Sequence, residues 1–248
     1  MTENTVKNLV LQKENINRLI KDIREITKNP LTEHNIYYTH DEDNILKGYA
    51  LIIGPKNTPY YGGFYFFIID YPVNYPYSPP KFKYMTNDGI TRFNPNLYIN
   101  GKVCLSVLNT WYGEQWTSCL TLSTVLLNLC TIFIENPLIN EPGIMTSHPE
   151  CIKYKEIIEY KNVEVAIIRI INKKINCKEF DLFYDLYIEY VKNNYDDLLN
   201  HIENIFNKNK DLILIESIYR MKININNKKN LNDFLNLKKK LNLNLNKI

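Results

Sequence analysis

Residues 92–108 read Arg92-Phe93-Asn94-Pro95-Asn96-Leu97-Tyr98-Ile99-Asn100-Gly101-Lys102-Val103-Cys104-Leu105-Ser106-Val107-Leu108. The stretch combines a nucleophile, a nearby amide side chain and rigid turn residues. Pro95 fixes its own φ and biases Asn94 toward extended backbone, while Asn100-Gly101 favours a tight turn. That turn folds Asn96 back toward Cys104. A cysteine in this setting points to thioester chemistry, with the side chain acting as a carrier.

Working outward, 248 residues with 45% hydrophobic content suffice for one domain of ordinary size plus an extension. The five cysteines form no CxxC pair and no Cys/His cluster at zinc-ligand spacing. Free thiols in a reducing compartment and no structural metal are therefore expected. Met1 to Lys13 lacks an apolar core of the signal-peptide kind, and no window approaches the roughly 20 apolar residues that span a bilayer. The expectation is a protein of the cytoplasm, with the nucleus also open to it, and no membrane partner. The formal charge is +3, but seven lysines against Asp233 leave +6 in residues 222–248 and −3 in everything before them. A body of that sign is not a nucleic-acid binder. Heavy use of Asn, Lys and Ile reflects compositional bias, so single surface lysines carry little weight.

Between Val6 and Ile26, apolar residues recur at helical spacing and Asn29-Pro30 supplies a stop, predicting an amphipathic opening helix. Ile36 to Thr39, Leu46 to Ile53, Gly63 to Asp70 and Phe82 to Met85 are short, β-branched or aromatic, and punctuated by polar or Gly/Pro turns. They predict a four-stranded antiparallel meander. Tyr71 to Pro80 holds four prolines and reads as a stiff loop packed by its tyrosines. Helices are predicted over Leu120 to Glu135, Cys151 to Lys174, Phe180 to Tyr195, Leu198 to Phe206 and Leu212 to Met221. The fold class is α+β, divided as a core over 1–175, a helical extension over 176–221 and a flexible basic tail over 222–248.

With these residues in view, the chain resembles a ubiquitin-conjugating enzyme. Four segments carry the resemblance in order: Gly54-Pro55 through Pro59-Tyr60-Tyr61-Gly62-Gly63-Phe64; the Tyr71 to Pro80 loop; Asn94-Pro95-Asn96 with Cys104; and Trp116 leading into the apolar helix. Most members carry His-Pro-Asn before the cysteine. Asn94 in the first position, Asn140-Glu141-Pro142-Gly143 and a spacing from Cys104 to Trp116 four residues longer resemble the Z-type subgroup, which also includes the giant inhibitor-of-apoptosis conjugating enzyme. The similarity extends over about residues 6 to 215.

The resemblance implies that Cys104 accepts ubiquitin or a ubiquitin-like protein from an activating enzyme and passes it to lysine on protein substrates, alone or with a ligase, without a cofactor. It implies for Asn96 either an amide donated to the oxyanion or a brace for the loop. Attack requires a neutral amine, yet free lysine titrates near ~10.4, so an acidic side chain is needed close by. Glu141 falls where related enzymes place one; Asp88 and Glu114 flank the site as further carboxylates. Arg18, Lys21 and Arg24 resemble the basic face that meets the activating enzyme. Tyr77 takes the position of the bulky ligase-facing residue, and Thr117-Ser118-Cys119 replaces a Ser-Pro-Ala loop, which makes Ser118 a partner-facing residue. Cys119, Cys130, Cys151 and Cys177 are expected to be inert in apolar or helical surroundings.

Two other readings use the same residues: a carrier of another ubiquitin-like modifier, or an inactive variant that only binds ubiquitin or a ligase. A cysteine hydrolase would need a histidine base, and His34, His40, His148 and His201 lie in no recognisable motif.

Overall fold

The computed structural model describes residues 13–175, 178–208 and 213–241. The expected helix start at Val6, the reading of Cys177 and the last seven residues of the tail lie outside them.

Helix α1, Lys13–Lys28, turns its buried Leu19 and Ile26 inward. Strands β1 (Ile36–His40), β2 (Lys47–Ile53), β3 (Phe64–Asp70) and β4 (Lys81–Tyr84) form one antiparallel sheet in sequence order. Register is set by Tyr38 opposite Ala50, Ala50 opposite Phe67 and Phe67 opposite Tyr84. The meander is as the sequence predicts, and the fold is α+β.

β3 is apolar on both faces, and each face has a cover. On one side Tyr65 meets Phe133, ring centroids 4.8 Å apart; on the other Phe64 meets Tyr187 and Phe66 meets Phe183, at 5.3 and 5.7 Å. Phe183 and Tyr187 belong to the segment after residue 177, so the extension is the outer layer over the sheet. Gly63 leads into β3 against Asn162, whose Oδ1 would stand 1.9 Å from a Cβ added there. The same Oδ1 accepts from Tyr65 Oη at 2.6 Å, and Asn162 Nδ2 donates to the Tyr61 carbonyl at 2.9 Å.

The predicted helix over Leu120 to Glu135 is shorter, α2 at Leu122–Cys130, started by Thr121, whose side chain accepts from the Thr124 amide. Asn136-Pro137 is followed by a single 3-10 turn, Pro137–Asn140. α3, Glu150–Lys161, continues as wider π-type turns over Asn162–Arg169. α4, Tyr184–Asn193, and α5, Tyr195–Lys208, follow.

Two expectations for the C-terminal part are corrected. Leu212 to Met221 holds no helix in its described residues: β5, Ile213–Glu216, pairs with β6, Met221–Asn224, around a tight turn. Burial alternates along both strands, a period of two that the short apolar run conceals. The stretch read as a flexible tail contains β6 and then α6, Asn227–Lys240. Phe234 and Leu237 of α6 are buried, with Phe234 stacked 5.1 Å from Tyr195. The lysines draw attention to solvation, but Leu231, Phe234, Leu237 and Leu241 recur at three- and four-residue intervals. That spacing gives α6 one apolar face despite its charge.

No described helix is long and apolar enough to cross a membrane.

Candidate active site

The loop before Cys104 is a small closed structure. Gly101, at φ +89°, makes the turn, with its amide donating to the Tyr98 carbonyl at 2.9 Å. A Cβ on Gly101 would lie 2.9 Å from the Tyr84 carbonyl oxygen, so the residue also permits close approach to β4. Leu97 then bridges Val103, and the Cys104 amide donates to the Asn96 carbonyl at 2.9 Å. The turn chemistry of Asn100-Gly101 thus brings Asn96 to Cys104.

Asn96 is 7% exposed, and its Nδ2 donates to the Cys104 carbonyl at 2.7 Å. In this state the amide braces the loop. Its Oδ1 is buried without a hydrogen-bond partner among the described residues. A buried oxygen left without a partner costs free energy. Cys104 itself is buried, 1% exposed.

Asn94 occupies the first position of the Asn94-Pro95-Asn96 motif. It is fully buried, and its Nδ2 donates to Tyr60 Oη at 2.8 Å and to the Ile132 carbonyl at 2.9 Å. Its Oδ1 accepts from the Asn96 amide at 3.0 Å and from Asn140 Nδ2 at 3.4 Å. One side chain therefore ties the loop to the β2–β3 connection, the end of α2 and the turn at Pro137–Asn140. Tyr60 completes the link by donating to the Phe93 carbonyl at 2.7 Å.

Arg92 holds the loop from the other side, donating from Nε to the Asn94 carbonyl at 3.1 Å and from Nη2 to the Pro95 carbonyl at 2.6 Å. Its guanidinium lies 3.2 Å from the centre of the Tyr98 ring. Past the cysteine, Thr110 Oγ1 donates to the Val103 carbonyl and accepts from the Leu105 amide, each at 2.9 Å. Tyr60, Arg92, Thr110 and Asn140 were not singled out from the sequence. Asn140, Tyr60 and Arg92 sit inside segments already distinctive there, whereas nothing local marks Thr110.

Glu141 follows the turn that carries Asn140, so it lies one residue from the Asn94 network. Its carboxylate accepts from Tyr219 Oη. Asp88, the second candidate acid, is engaged elsewhere: Lys161 Nζ lies 2.8 Å away. Glu114 is exposed. Burial raises the thiol pKa of Cys130 and Cys151, in keeping with inert cysteines. Cys119 differs from its expected apolar setting and is exposed.

Of the residues read as partner-facing, Arg18 is largely occupied within the chain. It pairs with buried Asp22 at 3.0 Å and donates to the carbonyls of Ser118 at 2.5 Å and Leu120 at 2.7 Å. Lys21 and Arg24 remain exposed on α1 and line a shallow groove. Tyr77 is 70% exposed, and Ser118 is also exposed, with its carbonyl held by Arg18. Trp116 Nε1 donates to the Pro76 carbonyl at 2.7 Å, joining the two loops that carry Tyr77 and Ser118. Among the described residues, no group of three or more His, Cys, Asp or Glu side chains is placed to hold a metal ion.

The profile of the family described as "Ubiquitin-conjugating enzyme" matches residues 18–163, the span that runs from α1 through the sheet and cysteine loop to the end of α3. The chain belongs to the ubiquitin-conjugating enzyme family. Among curated relatives, ubiquitin-conjugating enzyme E2 Z of Homo sapiens is 40% identical over 182 residues, covering 68% of this chain and 51% of that protein. The E2 Z of Xenopus tropicalis is 38% identical over 182 residues, covering 68% of this chain and 58% of that one. The dual E2 ubiquitin-conjugating enzyme/E3 ubiquitin-protein ligase BIRC6 of Homo sapiens is 40% identical over 124 residues, 47% of this chain and 3% of its own length. The alignments span little more than half of the E2 Z relatives. The Z-type resemblance drawn from Asn94-Pro95-Asn96 agrees with these matches.

Proposed function

We propose that Cys104 carries ubiquitin, or a close ubiquitin-like relative, as a thioester and transfers it to a lysine amine. The Cys104 thiol attacks the thioester on an activating enzyme, forming a new sulfur–acyl bond as the activating enzyme's thiol leaves. A lysine amine then attacks the same carbonyl, an amide forms, and Cys104 departs as thiolate and takes up a proton. The observation that carries this reading is the pairing of Asn96 with Cys104 inside the closed Asn-Pro-Asn loop. Release of Asn96 Nδ2 from the Cys104 carbonyl would free an amide donor for the oxyanion that forms during attack. A donor of that kind lowers the barrier by about 2.7–4 kcal/mol. Glu141 supplies the carboxylate that favours the neutral amine, and Lys21 and Arg24 form the cationic face toward the activating enzyme.

A charging assay tests the proposal. The chain is incubated with ATP, ubiquitin and each of the two known types of activating enzyme, beside Cys104→Ala. A thiol-sensitive adduct absent from Cys104→Ala is the expected result; an adduct that survives the substitution sinks the assignment. The burial of Cys104 favours one second reading, a variant that binds ubiquitin or a ligase without carrying it. Absence of charging together with binding to ubiquitin would favour that variant.

A further inference from the structure

The turn between β5 and β6 reaches the cysteine loop by contacts that the conjugating reaction as set out above does not use. Tyr219 sits in that turn, which is shaped from inside by Glu216: its buried carboxylate accepts from the amides of Ile218 at 2.5 Å and Tyr219 at 2.9 Å. The turn is anchored to the start of α3, where the Ser217 amide donates to Glu150 Oε2 at 2.8 Å. From this base Tyr219 makes two contacts toward the site. Its hydroxyl donates to Glu141, and its ring centre lies 5.3 Å from the Arg92 guanidinium. A third contact comes from β6, where Met221 Sδ accepts from the Arg92 amide at 3.4 Å.

Arg92 and Glu141 are the two ends of the network around Asn94. Arg92 grips the carbonyls of Asn94 and Pro95, while the residue before Glu141, Asn140, donates to Asn94 Oδ1. Asn94 in turn holds the Asn96 amide. A guanidinium 3.2 Å from the Tyr98 ring centre and 5.3 Å from that of Tyr219 loses freedom to both contacts, and a carboxylate holding a hydroxyl proton is restricted in rotamer.

We propose that Tyr219 is a positioning residue for transfer from Cys104, clamping Arg92 with its ring and Glu141 with its hydroxyl. The β5–β6 hairpin, outside the segment that the family profile matches, is thereby part of the catalytic unit. This rests on the thioester reading of Cys104.

The test uses the full chain, charged with ubiquitin, freed of activating enzyme and discharged onto free lysine over a range of concentrations. Tyr219→Phe keeps the ring and removes the hydroxyl; Tyr219→Ala removes both. Small displacements of a site can cost up to ~10²-fold, so maximal discharge is expected to fall about threefold in Tyr219→Phe and about tenfold in Tyr219→Ala. Charging is expected to fall less than discharge does, with the half-saturating lysine concentration at its wild-type value. Glu141→Gln combined with Tyr219→Phe is expected to be no slower than Glu141→Gln alone. Wild-type or faster discharge in both Tyr219 variants overturns the proposal, as does an equal loss of charging and discharge. Amide hydrogen exchange on the uncharged chain separates this from the function itself. Faster exchange across 92–104 and 137–145 in Tyr219→Ala supports the clamp, and unchanged exchange overturns it, whether or not the wild type charges.

Discussion

Asp88 and Lys161 form an ion pair at 2.8 Å with side chains only 2% and 7% exposed. Lys161 also donates to Glu164 at 2.7 Å, and Glu164 accepts from Arg169 at 2.5 Å. Burial alone would raise the Asp88 carboxyl, but the Lys161 charge and hydrogen bond, with the amides of Thr91 and Ile90, hold it below its ordinary value. Burial would likewise lower Lys161, and Asp88 and Glu164 overcome it and raise the ammonium instead. A carboxyl depressed in the folded state contributes stability above its unfolded value, near ~3.9, and loses it as pH falls through the folded value. The melting temperature of the wild type is therefore expected to approach that of Asp88→Asn as pH drops from 7 to about 3. A gap between the two that stays constant over this range would show that Asp88 is not the titrating group. Lys161→Met leaves Asp88 without its cation and is expected to cost about 3–5 kcal/mol in denaturant unfolding.

Arg18 separates two roles that lie together on α1. It bridges buried Asp22 to the carbonyls of Ser118 and Leu120, whereas Lys21 and Arg24 face solvent. Arg18→Ala is expected to destabilise the chain by about 1.5–3 kcal/mol through loss of charge-assisted hydrogen bonds. Lys21→Ala and Arg24→Ala are expected to change stability by less than about 0.5 kcal/mol. If α1 is the face toward the activating enzyme, the latter two slow charging by raising its concentration dependence, and added salt reduces the difference from wild type. Charging kinetics for all three beside thermal melts decide the matter: slow charging confined to Arg18→Ala would remove Lys21 and Arg24 from that surface.

The sheet and the cysteine loop were legible because their signals are local. Short β-branched and aromatic runs set off by turns, four prolines between Tyr71 and Pro80, and Asn100-Gly101 each dictate backbone geometry within a few residues. The supports of the site were not legible: Arg92 and Thr110 grip carbonyls two to seven residues away in an irregular loop that no periodicity describes, and no spacing rule brings Tyr219 to Glu141, 78 residues away. The hairpin at Ile213 to Asn224 failed for another reason. Eight strand residues split by a turn give too short a run for helical and strand periods to be told apart. Composition misled over α6, where Asn and Lys conceal an apolar stripe only four residues deep.

Asn94 is the buried junction of the site, so its replacement tests whether the network or the identity of the residue matters. Asn94→Ala removes the partner of Tyr60 Oη, the Ile132 carbonyl and the Asn96 amide together. Each buried polar group left unpaired costs about 1–3 kcal/mol, and a loss of at least that size is expected in chemical denaturation. Asn94→His introduces the residue that the family resemblance makes usual at this motif position, but its two ring nitrogens cannot both donate to Tyr60 and Ile132 and also accept from the Asn96 amide. Both variants are expected to discharge a Cys104 thioester more slowly than wild type. Equal or better discharge by Asn94→His, with full stability, would mean that the surrounding residues accept either side chain.

Phe234 decides whether α6 belongs to the folded body. It is fully buried and stacked on Tyr195, the first residue of α5, while Lys240 Nζ donates to Asn172 Oδ1 at 3.2 Å. Truncating a buried phenylalanine to alanine costs about 3–5 kcal/mol, and Phe234→Ala is expected to fall in that range. Lys238→Ala, on the polar side of the same helix but with its ammonium 5.5 Å from the centre of the Tyr195 ring, is expected to cost no more than about 1 kcal/mol. Urea unfolding of both variants gives the comparison directly. A Phe234→Ala protein as stable as the wild type would show that α6 is only loosely attached to α5, returning the segment to the flexible tail that its composition suggests.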